Sequence, residues 1–123
     1  MQDLSIKNIS IGVDIEEISR FRNKTLEKDK NFLEFVYTNN ELNYCFSKKN
    51  FAQHLAVRYC AKEAVIKSLS DSNNMKLQYR DIEILNNIDG SPYVSINKYK
   101  DLIFKISLSH TSEYAVAFVI KIN

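Results

Sequence analysis

The chain has 123 residues, 45% of them hydrophobic and 26% charged, and seventeen Lys and Arg against fifteen Asp and Glu leave a formal charge of +2. That length suits one domain, spanning 1–123, and is too short for two with proper cores. The apolar content excludes intrinsic disorder, and the charge is too small to imply nucleic acid. Two Gly and one Pro exclude a collagen-like or linker-like chain. Cys45 and Cys60, with no CxxC and only His54 and His110 beside them, argue against structural zinc. The segment from Met1 to Lys7 lacks the apolar core of a signal peptide, and the longest apolar run, Tyr114 to Ile120, is far too short to span a bilayer. A cytosolic, reduced, soluble protein with no membrane contact is the expectation.

Ile9, Ile11, Val13 and Ile15 alternate with Ser10, Gly12, Asp14 and Glu16, the period-2 signature of a half-buried strand. Asp14 then shares a face with Gly12, which leaves space beside the carboxylate. Glu17 to Asn31 reads as helix-compatible and basic, and Phe32 to Val36 as a short apolar segment. Thr38-Asn39-Asn40-Glu41 has the spacing of a capping box leading into a short helix through Leu42, Tyr44 and Cys45. Phe51 to Leu69 is the strongest helix, with Ala52, Ala56, Cys60 and Ala64 in a stripe of small residues and apolar strips on nearly every side. Ser70 to Asn74 is a loop. Arg80 to Leu85 and Tyr93 to Ile96 read as strands joined through an Asp89-Gly90 turn. Phe104 to Ser109 and Tyr114 to Ile122 make a second hairpin with His110 at its tip. Helices gather in the first half and strands in the second, so an α+β fold is expected, with an antiparallel sheet packed on a long buried helix.

Glu63 is the leading candidate for chemistry, because a carboxylate inside an apolar helix needs a partner. An i, i+4 ion pair with Lys67 is one reading. The other brings Glu63 and Asp14 together as oxygen ligands for Mg²⁺, a cation that takes one or two carboxylates together with waters and phosphate oxygens. Arg58, Lys62 and Lys67 would then meet the charge of a polyphosphate. His110 is either a turn residue or a phosphate ligand. The basic cluster from Arg20 to Lys30 is a solvated face or a dock for an acidic partner. Ser109 and His110 are adjacent on a strand and point to opposite faces, which disfavours a Ser-His nucleophile pair.

Ile11-Gly12-Val13-Asp14-Ile15-Glu16-Glu17-Ile18, then Arg58-Tyr59-Cys60-Ala61-Lys62-Glu63-Ala64-Val65-Ile66-Lys67, then Ser107-Leu108-Ser109-His110-Thr111 resemble the three signatures of holo-acyl-carrier-protein synthase, a phosphopantetheinyl transferase family. The likeness continues through Phe35 to Thr38, Asp81 to Ile84, Gly90 to Tyr93 and Glu113 to Val119. The resemblance implies transfer of the 4′-phosphopantetheine arm of coenzyme A to a serine of apo-acyl carrier protein in fatty acid biosynthesis. It implies Asp14 and Glu63 as Mg²⁺ ligands and, with Lys67 beside the pyrophosphate, as catalytic residues, and it implies Arg58, His110 and Thr111 around coenzyme A. It also implies Arg20 as a docking residue for the acidic carrier, and a homotrimer with sites at subunit interfaces. Either Glu63 or a metal-bound water would accept the serine proton. Two features depart from the family pattern: the Ser68 to Asn74 loop lacks glycine, and Lys48 and Lys49 are followed by Asn50. A non-catalytic coenzyme A or nucleotide-binding module of the same fold is the alternative.

Overall fold

The computed structural model describes residues 8–69 and 75–122. In chain order it contains β1 (Ile9–Glu17), α1 (Lys30–Val36), α2 (Asn39–Phe46), α3 (Phe51–Ser68), β2 (Ile82–Asn86), β3 (Pro92–Ile96), β4 (Ile103–His110) and β5 (Tyr114–Ile122). The α+β class is as expected. The strands form two antiparallel sheets rather than one: β1-β5-β4, and the hairpin β2-β3. The Gly-free loop falls on residues 70–74, outside the described residues.

Between β1 and α1 the basic stretch forms only one 3₁₀ turn, Ile18–Phe21, before α1 begins at Lys30. The helix-compatible stretch from Glu17 to Asn31 is therefore mostly not helical. Thr25 and Asp29 bond each other's neighbourhood instead: Thr25 N–H donates to Asp29 Oδ2 at 3.0 Å and Lys28 N–H to Thr25 Oγ1 at 3.0 Å. Such side-chain bonds to backbone compete with helix. The apolar segment after Asp29 is helical, because Leu33 and Val36 bury one side of α1.

The β1 alternation is present with its faces in the opposite sense from simple hydropathy. Ile9, Ile11, Val13 and Ile15 are 42–63% exposed, while Gly12 is buried against α3. A Cβ on Gly12 would overlap the Ala64 carbonyl, so the glycine lets helix and strand backbones touch rather than leaving room beside Asp14. On β5, Ala115, Ala117 and Val119 also point to α3, whose buried side includes Leu55, Ala56, Cys60, Ala61, Ala64 and Val65. The stripe of small residues thus brings α3 close to the sheet, and the larger side chains of β1 are left on the outer face.

The capping box at Thr38 is formed on both sides. Glu41 N–H donates to Thr38 Oγ1, and Thr38 N–H donates to Glu41 Oε1 at 2.9 Å. Glu41 does more than cap α2. Its Oε1 lies 2.7 Å from the Lys62 ammonium of α3, and its Oε2 accepts from Ile84 N–H of β2 at 2.8 Å. Lys62 is fully buried and also donates to the carbonyls of Tyr79, at 3.0 Å, and Ile82. Burial pulls the Lys62 ammonium below its ordinary pKa, and Glu41 opposes that shift. The β2-β3 hairpin turns through Asn87 to Ser91, where Gly90 takes φ +90° and Asp89 Oδ1 accepts from Ser91 N–H at 2.9 Å.

Removing one member of a buried ion pair leaves the other charge uncompensated. Lys62→Met is expected to cost about 3–5 kcal/mol of stability in urea unfolding. Adding Glu41→Gln to that variant is expected to recover a large part of the loss.

Candidate active site

The Asp14 carboxylate lies where β1 meets α3. Cys60 Sγ–H donates to the Asp14 carbonyl at 3.1 Å, and Lys67 Nζ donates to Val13 O at 3.0 Å and to Asp14 Oδ1 at 3.2 Å. Glu63 sits on α3 between these two contact residues. Its Oε2 accepts from the Tyr79 hydroxyl at 2.7 Å. The i, i+4 pair of Glu63 with Lys67 therefore gives way to two separate contacts, because the ammonium is drawn across to the strand.

Three groups close the site that sequence reasoning did not single out. Glu16 shares the inward face of β1 with Asp14 and accepts from Arg20 Nη1 at 3.0 Å. Burial, with the Asp14 carboxylate next to it, pushes the Glu16 carboxyl up to about 7 against the opposing pull of Arg20. The Arg20 guanidinium lies 4.8 Å over the Tyr59 ring, and Tyr59 stacks on Tyr79 with centroids 5.6 Å apart at 22°. Contacts thus run from Glu63 through Tyr79, Tyr59, Arg20 and Glu16 back to Asp14. Strand periodicity already put Glu16 beside Asp14. Tyr79 stands sixteen residues from Glu63, at the start of a 3₁₀ turn (Tyr79–Asp81), and carries no local signal.

Two buried polar atoms have no hydrogen-bond partner among the described residues: Asp14 Oδ2 and Arg58 Nε. Orphaned buried polar groups are costly, and each invites a ligand of opposite charge. Asp14 Oδ2 fits a hard cation, and the donor set of two carboxylates suits Mg²⁺, which keeps most of its shell for waters and phosphate oxygens. Arg58 Nε fits an anion. Its guanidinium lies 4.4 Å over the Tyr44 ring and lines a cleft of about 270 Å³ with Gln53, His54, Pro92 and His110.

His110 ends β4 at the rim of that cleft. Gln53 Nε2 has only protons to give, so His110 Nε2, 3.0 Å away, is the acceptor and Nδ1–H faces the Thr111 carbonyl at 3.3 Å. Thr111 Oγ1 accepts from the N–H groups of Glu113 and Tyr114 at 3.1 and 3.0 Å, which sets the hairpin turn and leaves the hydroxyl proton free to donate. Arg20, exposed over nearly half its side chain, borders a second cleft with Ile15, Glu16, Glu17 and Tyr114. Lys62 requires a correction. Expected at the coenzyme A polyphosphate, its ammonium is enclosed in the core by Glu41 and two carbonyls and has no path to a ligand.

A family model for the 4′-phosphopantetheinyl transferase superfamily matches residues 10–119. Two similar relatives are both described as holo-[acyl-carrier-protein] synthase. The protein from Protochlamydia amoebophila is 41% identical over 91% of this chain and 96% of its own length. That from Thermodesulfovibrio yellowstonii is 46% identical over 89% of this chain and 95% of its own. Among solved structures, a holo-(acyl-carrier-protein) synthase from Bacillus anthracis in complex with CoA (3′,5′-ADP) superposes with a TM-score of 0.77 at 30% identity, covering 92% of this chain and 95% of that one. The chain belongs to the 4′-phosphopantetheinyl transferase superfamily.

His54 gives this region a pH signature. Burial first, then the positive charges of Arg58 and Lys48, lower its pKa from the ordinary 6.5. The native state therefore binds fewer protons here than the unfolded chain. Its contribution to stability is full above 6.5 and is lost as pH falls below that value. The fall in melting temperature between pH 7 and pH 5 is expected to be shallower in His54→Gln than in the parent, read by scanning calorimetry.

Proposed function

We propose that this protein is a holo-acyl-carrier-protein synthase, moving 4′-phosphopantetheine from coenzyme A to a serine hydroxyl of apo-acyl carrier protein. The products are holo-acyl carrier protein, which serves fatty acid biosynthesis, and adenosine 3′,5′-bisphosphate. The observation that carries the reading is the pair of buried orphans, Asp14 Oδ2 and Arg58 Nε, in a chain of this superfamily. Together they match a ligand with a metal-bridged pyrophosphate at one end and a further phosphate at the other.

Asp14 and Glu63 would hold Mg²⁺, which when bound with the pyrophosphate oxygens stabilises charge developing on the leaving group. Phosphoryl transfer asks the protein mainly for positioning and charge. Lys67, already anchored on Asp14, adds a positive charge beside the pyrophosphate. Arg58, His110 and Thr111 line the coenzyme A end. Arg20 meets acidic residues of the carrier, supported by its exposure and by the adjoining cleft.

A homotrimer with sites shared between subunits is part of this reading. Its support is the outer face of the β1-β5-β4 sheet, where Ile9, Ile11, Val13, Ile15, Tyr114, Phe118 and Ile103 are all exposed. Contiguous apolar faces of this kind mark interfaces. The cleft at Arg58, about 270 Å³, lies at the small end of the roughly 300–1,000 Å³ usual for a ligand cavity, which supports a second subunit helping to enclose coenzyme A. Among the described residues no helix is long and apolar enough to cross a membrane. The free, buried Cys45 and Cys60 support a cytoplasmic location.

Incubation with apo-acyl carrier protein, coenzyme A and Mg²⁺ is expected to add one phosphopantetheine to the carrier by mass spectrometry, and EDTA to abolish the gain. Coenzyme A binding without any gain would make the chain a binding module instead. Asp14→Ala and Glu63→Ala are each expected to slow transfer by about 100-fold or more; parent rates in both would remove the metal assignment. Arg20→Gln is the chosen docking variant, since Glu at that position would face Glu16. It is expected to raise the KM for the carrier most at low salt and to leave coenzyme A binding unchanged. Phe118→Glu is expected to yield monomers in analytical ultracentrifugation.

A further inference from the structure

Glu63 has three rotatable side-chain bonds and stands half-buried on α3, so an orientation suited to binding a cation has to be imposed from outside the residue. Lys67 does not impose it, because its ammonium is held by Asp14 and Val13. Tyr79 does, through its hydroxyl 2.7 Å from Oε2. Among the described residues Oε1 carries no hydrogen bond.

Tyr79 is itself held from three directions. Its carbonyl accepts from the buried Lys62 ammonium at 3.0 Å. Its ring stacks on Tyr59 and meets the edge of Phe35 at 5.9 Å and 66°. Lys62 and Glu63 are consecutive on α3, one turned into the core and one toward the site. The inward residue anchors the backbone of the tyrosine whose hydroxyl orients the outward one.

We propose that Tyr79 is a positioning residue for the metal site: its hydroxyl holds Glu63 Oε2 so that Oε1 is the oxygen offered to a divalent cation shared with Asp14. Partners of this kind, bonded to a ligand rather than to the metal, typically change metal affinity 10–100-fold when removed. The inference rests on the reading of Glu63 as a metal ligand and adds what makes that ligand competent.

The test is Tyr79→Phe, which keeps the ring and deletes only the hydroxyl. Mg²⁺ is titrated calorimetrically into protein saturated with coenzyme A, alongside Glu63→Gln and the double variant. Tyr79→Phe is expected to raise the Kd for Mg²⁺ by about 10–100-fold. Coenzyme A binding in EDTA and the melting temperature should stay at parent values, and high Mg²⁺ should restore transfer with the coenzyme A KM unaltered. A merely structural tyrosine would lower the melting temperature and would not be rescued by the metal. In the Glu63→Gln background, Tyr79→Phe is expected to cause no further loss of Mg²⁺ affinity. Unchanged Mg²⁺ affinity in Tyr79→Phe, with a clear loss in Glu63→Gln, overturns the role of Tyr79 alone. Unchanged affinity in Glu63→Gln overturns the metal reading and this inference with it. A loss in the double variant equal to the product of the two single losses places the action of Tyr79 elsewhere and also overturns it.

Discussion

The Glu41–Lys62 ion pair ties together α2, α3 and β2, elements distant in the sequence. Glu41 caps α2, pairs with a lysine of α3 and accepts a backbone N–H from β2, while Lys62 reaches on to the carbonyls of Tyr79 and Ile82. Every lone pair and proton of such a pair must be used, because desolvation of two charges otherwise exceeds their attraction. Satisfying them sets where the β2-β3 hairpin lies against the helices. That placement brings Tyr79 to Glu63 and lines the Arg58 cleft with Pro92. The pair is enclosed in the core, yet the geometry of the site descends from it.

A second constraint is the close approach of α3 to the β1-β5-β4 sheet. Gly12, Cys60, Ala64, Ala115 and Ala117 bring backbones near enough for a thiol and an ammonium on the helix to bond the strand at Val13 and Asp14. This puts the carboxylate of β1 in a partly desolvated place with one oxygen unmatched. It also leaves the large aliphatic residues of β1 on the outside, where a second copy of the chain can cover them. The same packing therefore sets both the charge of the site and the apolar outer face of the sheet.

Local signals were legible where a short stretch of chain decides its own structure. The Thr38 capping box, the α3 helix, the Asp89-Gly90 turn and both hairpins were read from spacing alone. The stretch from Glu17 to Asn31 misled because its composition suits a helix, while Thr25 and Asp29 take backbone bonds that end one. Gly12 misled in a different way: an absent side chain looks like space, and here a helix backbone fills it.

The sequence by itself determined the α+β class, the order of the elements and the candidate carboxylates and cations, because periodicity, caps and motif spacing are properties of neighbours along the chain. Tertiary structure alone decided which of those charges are enclosed and which stay accessible. Lys62 and Lys67 both lie on α3, but one is enclosed by Glu41 and the other reaches Asp14, a difference set by what packs against each side of the helix. Tyr79 entered the site the same way, through contacts between elements that no local pattern encodes. Burial and pairing depend on partners distant in sequence, and partners of that kind exist only once the chain has folded.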